Sequence, residues 1–406
     1  MNRFTGLIGL ACFVLIGFLL SKDRKRIRWS TVGFGLLLQF ALGWLVISWQ
    51  MGANALKAFS DAITGAIAFS DKGAEFVFGK LAGVQPEGGI IFAFKVMPIV
   101  IFIASFFTIL YHLGVMQRVV QVFAVVMTKL LKVSGAESLA VAANIFIGQT
   151  EAPIIVAPYI PRMTMSELLT MMTGGMAHIS GAVLLAYAAM GIPANYLITA
   201  SVMAAPATIV MAKLLRPETE EPMTAGAVKV KIESEHANVI EAAASGASQG
   251  VALAINIVAM LIAFIALISL FNGGLSWVGT KLGMPELSLQ WLFSKLLWPL
   301  AWVMGVPSAD CPTVARLIGF KTVLNEFVAY AEMSKVTGWA SEKSRIIASF
   351  ALCGFANFSS IGIQIGGIGG LAPTRKSDIA RLGFWALLGG SLATFMSATI
   401  AGILQG

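Results

Sequence analysis

The amino-acid sequence predicts an all-α integral membrane protein, with about eight transmembrane helices, two re-entrant helical hairpins in an inverted repeat, and interfacial helices. Of its 406 residues, 57% are hydrophobic and only 12% are charged, whereas soluble domains average about 25% charged residues. Apolar runs of about 20 residues, the length that crosses a bilayer, recur along the chain. The net charge of +8 does not indicate nucleic-acid binding, because the basic residues lie in short loops between these runs.

The first apolar run, Leu7–Leu20, is short but does not have the charge order of a signal peptide. Five basic residues between Lys22 and Arg28 follow the run instead of preceding it, and no small-residue cleavage site follows. We therefore expect a retained span whose C-terminal end faces the cytoplasm. The other predicted spans are Ser30–Trp49, Ile90–Tyr111, Leu168–Met190, Ala194–Leu214, Val251–Phe271, Ser344–Ile368 and Ile379–Leu404.

Three segments between the spans carry a different pattern. Apolar residues at helical spacing with interleaved charges predict amphipathic helices at the membrane interface, around Leu56–Ile67 and over Met116–Val133. Arg216–Glu241 contains two prolines and six glutamates, which predicts a mobile cytoplasmic linker. An outside N-terminus then places most loop lysines and arginines in the cytoplasm, as the positive-inside rule favours.

Two further stretches, Ala142–Ile160 and Arg316–Glu332, are too polar and too broken to be plain spans. Each contains a glutamate among apolar residues, Glu151 in the first and Glu326 in the second. A charge at the bilayer centre costs roughly 2.5–3.5 kcal/mol or more, so such a residue is expected to face a protein-lined cavity. Because Pro153 should break a helix in the first stretch, we predict that both stretches enter the membrane, turn and return.

Each polar stretch precedes a span with one shared pattern: Gly, bulky apolar, Ala, polar, bulky apolar, Ser, small. The pattern is Gly175–Gly181 in the first span and Gly354–Ser360 in the second. Taken alone, a single polar residue of this kind is more often a helix-packing contact than a binding residue, and His178 taken alone fits a buried core histidine. Their repetition at matching positions, with opposite predicted orientation, instead favours the solute site of a secondary transporter.

The polar residues of the repeat suggest what the site binds. They are amides, hydroxyls and two carboxylates, with no arginine fork to hold a carboxylate or phosphate. Acidic acceptors favour a solute rich in OH and NH donors, or a cation. No phosphate-binding lysine motif is present, so ATP is not expected to drive transport.

Three motifs resemble the signatures of the concentrative nucleoside transporter family in its bacterial, eight-span form. They are Gly148–Pro153 (GQTEAP), Lys321–Tyr330 (KTVLNEFVAY) and Gly354–Gly362 (GFANFSSIG). The resemblance covers essentially the whole chain. It implies a homotrimer in the bacterial inner membrane that imports nucleosides such as uridine by elevator-type alternating access, coupled to sodium or, in some members, to protons.

The resemblance also implies a division of the chain. Residues 1–134 would be mainly scaffold, and residues 135–215 the first transport repeat, with hairpin 1, an interrupted span 4 and span 5. Residues 216–300 would hold the cytoplasmic linker, scaffold span 6 and an interfacial helix. Residues 301–406 would form the second transport repeat.

Site residues follow from the same resemblance. The nucleobase would contact Gln149, Thr150 and Glu151, with Val183 nearby. The ribose hydroxyls would bind Glu326, Asn357 and Ser360, and Phe355 would line the pocket. The coupling sodium would bind Asn144, the carbonyls of Ile147 and Ile179, and position 178.

Position 178 departs from the family pattern, because Ser or Thr is expected there and this chain has His178. Sodium prefers hard oxygen ligands, as other hard cations do, and imidazole titrates near physiological pH. Sodium is the expected coupling ion because Asn144 is retained, with proton coupling as the alternative. A passive cation channel lined by the two glutamates ranks lower, and a membrane enzyme lowest, since no metal-ligand cluster or catalytic triad is evident.

Overall fold

The computed structural model describes residues 2–83, 91–225 and 236–405, and within these ranges the secondary structure is helical, without strands. The all-α prediction is confirmed. Six helical segments in the described ranges are long and apolar enough to cross a membrane, and two shorter apolar helices, Phe4–Leu19 and Phe358–Leu371, accompany them. The six are Trp29–Ile47, Ala93–His112, Met165–Ala189, Ala194–Leu215, Val239–Lys281 and Pro373–Leu404.

The N-terminal helices pack against the C-terminal half of the chain. Helices α1 (Asn2–Leu19) and α2 (Trp29–Ile47) both contact the last helix of the chain, Lys376–Leu404, and also the helix Ala194–Leu215. The buried Gln39 amide of α2 donates a 2.8 Å hydrogen bond to Ser397 Oγ of that last helix. The first and last predicted spans are therefore neighbours in space.

Two amphipathic helices occupy the segments predicted to lie at the interface. Helix α3 (Gln50–Phe78) covers the first of them, and α5 (Val115–Leu131) the second. Helix α5 buries one stripe and exposes the opposite face, as the helical spacing of its apolar residues predicts. The buried stripe consists of Met116, Val120, Ala124, Met127 and Leu131.

Helices α4 (Phe92–His112) and α11 (Val239–Lys281) form the most extensive helix pair in the described chain. Small residues allow their backbones to approach closely, since a Cβ at Gly250 would lie 2.6 Å from Cα of Ile101. The start of the predicted span at Ile90, and residues 226–235 of the predicted linker, lie outside the described residues.

The middle of the chain forms five helices, α6 (Gly135–Asn144), α7 (Ala152–Ile155), α8 (Met165–Ala177), α9 (Gly181–Ala189) and α10 (Ala194–Leu215). The predicted span Leu168–Met190 is thus two helices with a break between them. Helices α8 and α10 are almost entirely buried. They form the centre of the molecule, packed against each other and against the last helix.

The C-terminal part repeats this arrangement after two short helices, α12 (Leu289–Leu296) and α13 (Trp298–Val303). The helices that follow are α14 (Cys311–Val323), α15 (Glu326–Ser334), α16 (Glu342–Leu352), α17 (Phe358–Leu371) and α18 (Lys376–Leu404). The predicted span Ser344–Ile368 is likewise broken, because it comprises α16 and α17 instead of one helix.

The close approach of α4 and α11 makes a testable prediction about Gly250. Replacing Gly250 with alanine places a Cβ 2.6 Å from Cα of Ile101, so the two helices must move apart. We expect the free energy of unfolding to fall by about 1–3 kcal/mol. Thermal unfolding in detergent would show this as a lower midpoint.

The matched control is Gly273→Ala in the same helix. No atom lies within 4 Å of a Cβ there, so alanine should be neutral or should stabilise the helix by up to about 1 kcal/mol. Equal midpoints for the two variants would contradict the proposed role of the Gly250 contact.

Candidate solute-binding site

The first polar stretch turns between α6 and α7. Helix α6 begins at a capping box formed by Ser134 and Glu137 and ends at Asn144, and residues 145–151 are not helical. Pro153 lies in the first turn of α7, where its missing N–H removes no helical hydrogen bond. The prediction that Pro153 breaks the helix is therefore wrong, because the break precedes it by several residues.

The second polar stretch turns between α14 and α15. Helix α14 ends at Val323, and Asn325 adopts extended backbone geometry as the N-cap of α15. The Asn325 Oδ1 accepts a 2.9 Å hydrogen bond from the Val328 N–H. This cap places Glu326 at the first position of α15, with its side chain buried.

Both following spans are broken where the repeated pattern predicts. The break between α8 and α9 covers residues 178–180, and the break between α16 and α17 covers residues 353–357. Ser180 caps α9, whereas Asn357 caps α17. The capping residue is therefore the sixth residue of the pattern in the first copy and the fourth in the second. The shared pattern of residue types does not predict this difference.

The two breaks lie against each other. The Phe355 N–H donates a 3.2 Å hydrogen bond to the His178 carbonyl oxygen. Gly354 has a φ of +154°, and a Cβ there would lie 2.9 Å from the carbonyl oxygens of Met176 and Ala177. Only glycine suits this backbone conformation and this separation.

Glu326 is the centre of a buried hydrogen-bond network at this junction. The Tyr187 hydroxyl donates to Glu326 Oε1 at 2.9 Å, and the Asn357 amide donates to Oε2 at 3.0 Å. Asn357 Oδ1 in turn accepts a 2.9 Å bond from the Ser360 N–H, its capping bond to α17. The Glu326 carboxylate is therefore positioned by three helices: α15, which it begins, α17, which Asn357 caps, and α9, which carries Tyr187.

Gln149 extends the network to the first polar stretch. Its amide donates to Ser360 Oγ at 3.1 Å, and its Oε1 accepts a 3.2 Å bond from Gln364. Gln364 also donates to the Met172 carbonyl oxygen at 2.9 Å. The turn between α6 and α7 is therefore joined through side chains to the second broken span, α16–α17.

The structure brings most of the predicted site residues together, but not all of them. Four of them belong to the hydrogen-bonded network, namely Gln149, Glu326, Asn357 and Ser360. Val183 is buried in the adjoining apolar core and Phe355 is half-buried against it. Thr150 is half-buried, and the Glu151 side chain is exposed.

Two network residues were not predicted from the sequence. Tyr187 lies one helical turn after Val183 on α9, and Gln364 lies one turn after Ser360 on α17. Each is thus on the same helix face as a predicted residue, and this spacing was the signal that would have identified them.

Lys321 is a fully buried cation close to this network. Its ammonium donates to the Ala351 carbonyl oxygen at 2.9 Å and to Thr394 Oγ1 at 3.1 Å. It therefore binds the C-terminal end of α16, just before the second break, and α18. No salt bridge joins it to a carboxylate among the described residues.

The residues expected to hold a sodium ion lie beside the first break. Asn144 Oδ1 is buried and accepts no hydrogen bond among the described residues. The Ile147 and Ile179 carbonyls lie in non-helical backbone, and the Phe146 carbonyl next to Ile147 accepts a 2.9 Å bond from the Gly181 N–H. These oxygens fit a hard cation.

His178 fits that cation less well. It is buried, its Nδ1 lies 2.8 Å from the Gly174 carbonyl oxygen, and its Nε2 makes no hydrogen bond in the described structure. An imidazole nitrogen is a softer ligand than the hydroxyl oxygen that was expected there. The oxygen donors therefore support a sodium site, and His178 is the feature that opposes it.

The site offers hydrogen-bond acceptors and donors to a solute that carries hydroxyl and amide groups. Its carboxylate and amides are acceptors and donors of fixed geometry. Groups of three or more His, Cys, Asp or Glu side chains able to hold a metal ion are absent from the described residues.

Comparison with known proteins gives a consistent result over the whole chain. The family models that match are "Na+ dependent nucleoside transporter" N-terminus over residues 8–81, "Nucleoside recognition" over residues 93–194, and "Na+ dependent nucleoside transporter" C-terminus over residues 196–402. A transporter of Haemophilus influenzae without an assigned substrate is 46% identical over 100% of this chain and 99% of its own length.

A named cotransporter and two solved structures are similar too. The rat sodium/nucleoside cotransporter 2 is 43% identical over 98% of this chain and 62% of its own length. The solved structure of CNTnw in an inward-facing substrate-bound state has 44% identity and a TM-score of 0.94, covering 100% of this chain and 98% of that one. A CNTnw variant in an outward-facing state has 45% identity and a TM-score of 0.96, covering 100% and 99%.

The two asparagine caps provide a test of the network. Asn325 and Asn357 cap α15 and α17 in the same way, but Asn357 also donates to Glu326. Asn325→Ala should lose a cap, at a cost of about 1 kcal/mol. Asn357→Ala should cost about 2–4 kcal/mol, because it also removes a hydrogen bond to a charged group.

Thermal unfolding of both variants in detergent measures this difference. Asn357→Ser, which keeps a capping hydroxyl but loses the amide donor, should fall between them. Equal losses for Asn325→Ala and Asn357→Ala would show that the bond to Glu326 contributes nothing to stability.

Proposed function

Because this chain belongs to the family of concentrative, Na+-dependent nucleoside transporters, we propose that it is a secondary active symporter that imports nucleosides. The observation that carries the proposal is the Glu326 network, in which a buried carboxylate is held at the junction of two broken helices. A site of this kind, formed where helices are interrupted, is typical of transporters that alternate access around it.

The residues of the network match the chemistry of a nucleoside. Glu326 can accept hydrogen bonds from ribose hydroxyls, which are donors, and Asn357 and Ser360 can complete the ribose contacts. The nucleobase would lie by Gln149, Thr150 and Glu151, with Val183 and Phe355 as apolar contacts. The bond between Gln149 and Ser360 would be exchanged for bonds to the solute.

The proposal divides the helices into a moving part and a scaffold. In this proposal α6–α7 and α14–α15 are re-entrant hairpins, which enter the membrane from opposite sides as the tips of an inverted repeat. The six long apolar segments, of which α8–α9 is one, together with α1 and the broken span α16–α17, make eight spans. Residues 135–215 and 301–406 form the moving transport part, and residues 1–134 and 216–300 mainly the scaffold.

We place the protein in the cytoplasmic membrane of a bacterium, as a homotrimer that imports uridine or a similar nucleoside by an elevator movement. The pair of α4 and α11 supports a separate scaffold, because these two helices contact each other far more than they contact the network helices. The trimer would hold this pair fixed while the network moves with the hairpins.

Sodium is the proposed coupling ion. Its support is the Asn144 Oδ1, which has no hydrogen-bond partner among the described residues, the Ile147 and Ile179 carbonyls in the non-helical backbone nearby, and the name of the matching family model. The alternative is proton coupling, and the observation that favours it is the buried imidazole of His178 where a hydroxyl was expected.

Glu326→Gln tests the solute site. The amide keeps the size of the side chain but removes the charge that accepts hydrogen bonds from ribose hydroxyls, so uptake should fall at least about 100-fold. The measurement is accumulation of labelled uridine by reconstituted protein under an inward sodium gradient, and then under a proton gradient. Size-exclusion chromatography checks that the variant is folded and associated as in the parent.

The matched control is Glu332→Gln, which removes a partly exposed carboxylate of α15 that pairs with Lys335. Its uptake should equal that of the parent. Normal uptake by Glu326→Gln would remove Glu326 from the site. No uptake of any nucleoside by the parent under either gradient would refute the importer, and rapid non-saturating ion flux would indicate a channel.

His178→Ser tests the ion. The substitution restores an oxygen ligand beside Asn144, so sodium should stimulate uptake at a lower concentration than in the parent. Uptake is measured with sodium and pH varied independently. A parent whose uptake depends on pH but not on sodium, and a variant that gains sodium dependence, would establish the proton alternative.

A further inference from the structure

An apolar groove runs along the outer face of α1. It has a volume of about 660 Å³ and lies between α1 and α2, with Ile400 of α18 at its base. Every side chain that lines it is apolar, and Leu7 and Leu15 on its rim are each 52% exposed. In a membrane protein an exposed apolar surface of this kind must be covered by lipid chains or by another protein surface.

The shape of the groove suits a single acyl chain. Its α1 wall extends from Leu7 to Phe18, which at about 1.5 Å per residue is roughly 16 Å. This is about half the ~30 Å thickness of the hydrocarbon core. Ala11 lies in the middle of this wall, where a larger side chain would fill part of the groove.

One end of the groove carries positive charge. Phe18 and Trp29 form an aromatic pair there, with ring centroids 5.9 Å apart. The Arg24 guanidinium lies 5.6 Å from the centre of the Phe18 ring, and its Nε donates to the Phe18 carbonyl oxygen at 3.2 Å. Lys22 and Lys25 are exposed beside it, at the end of α1 expected in the cytoplasm.

We propose that this groove binds a phospholipid with an anionic headgroup, with one acyl chain along α1 and the phosphate at Arg24. The guanidinium has five N–H donors, and its bonds to the Phe18 and Leu19 carbonyl oxygens hold it at the mouth of the groove. No other hydrogen bond of Arg24 is present among the described residues, so its remaining donors can bind phosphate oxygens, which arginine binds well.

Charge complementarity selects the anionic class. A phosphatidylglycerol headgroup brings a net negative charge to Arg24, Lys22 and Lys25, whereas the cationic choline of a zwitterionic lipid would be repelled by the two lysines. Basic clusters directly cytoplasmic of a membrane helix attract anionic lipids, by about 1 kcal/mol for each charge. The groove adds a fixed position for the acyl chain of the lipid.

Native mass spectrometry of the full-length protein in detergent tests the site. Phosphatidylglycerol and phosphatidylcholine with identical oleoyl chains are titrated separately. The parent should bind phosphatidylglycerol more tightly, and Arg24→Gln should weaken that binding about fivefold. Arg24→Lys, which keeps the charge, should retain most of the preference.

Two further variants distinguish the contribution of the acyl chain to binding from that of the headgroup. Ala11→Trp fills the groove and should weaken binding of both lipids. Arg118→Gln, which removes an exposed arginine of α5 away from the groove, should change neither. If phosphatidylcholine binds the parent as tightly as phosphatidylglycerol, the proposal is wrong.

Two other outcomes would also overturn the proposal. Equal affinity for deacylated glycerophosphoglycerol would show that the acyl groove contributes nothing. A photo-cross-linking residue at position 15 that links one chain to another, instead of to lipid, would show that a second copy covers the groove.

Discussion

The buried carboxylate of Glu326 is the constraint on which the arrangement of the site depends. A carboxylate inside a membrane protein must be paired or hydrogen-bonded, because leaving it bare would cost several kcal/mol. No salt bridge reaches Glu326 among the described residues, and two neutral donors, Tyr187 and Asn357, hold it instead. These donors come from α9 and from the start of α17, so the carboxylate joins the middle of the chain to its C-terminal part.

The hydrogen bonds to the Glu326 carboxylate depend on interrupted helices. Asn357 can reach Glu326 because it caps α17 at a break, and Glu326 itself stands at the start of α15 behind the cap of Asn325. Free backbone groups at such breaks must also be satisfied. The structure satisfies them with polar caps and with the contact between Phe355 and the His178 carbonyl, which Gly354 makes close enough.

A second buried polar network joins one end of α6, α8 and α10. The Lys213 ammonium at the end of α10 lies 2.7 Å from Glu137 Oε2 and donates to Ser166 Oγ at 2.9 Å. Ser134 donates to Glu167 at 2.5 Å. Because Ser134 caps α6 and Glu167 belongs to the cap of α8, three helices that lead to the site are joined at one end. At these helix ends a lysine pairs with a glutamate, whereas at the site the Glu326 carboxylate accepts hydrogen bonds from the neutral side chains of Tyr187 and Asn357.

The sequence by itself determined the membrane class, the amphipathic α5, the two polar stretches and the repeated breaks, because these depend on local composition and spacing. It also identified Glu326, Asn357 and Ser360, since an unusual polar residue in an apolar run is visible without a structure. Tertiary structure alone decided which polar groups meet. Tyr187 and Gln364 belong to the network, and Glu151 is exposed. Ser180 and Asn357, the caps of α9 and α17, stand at different positions of the repeated pattern. Hydrogen-bond partners depend on how distant helices pack, and no periodicity along one segment specifies this.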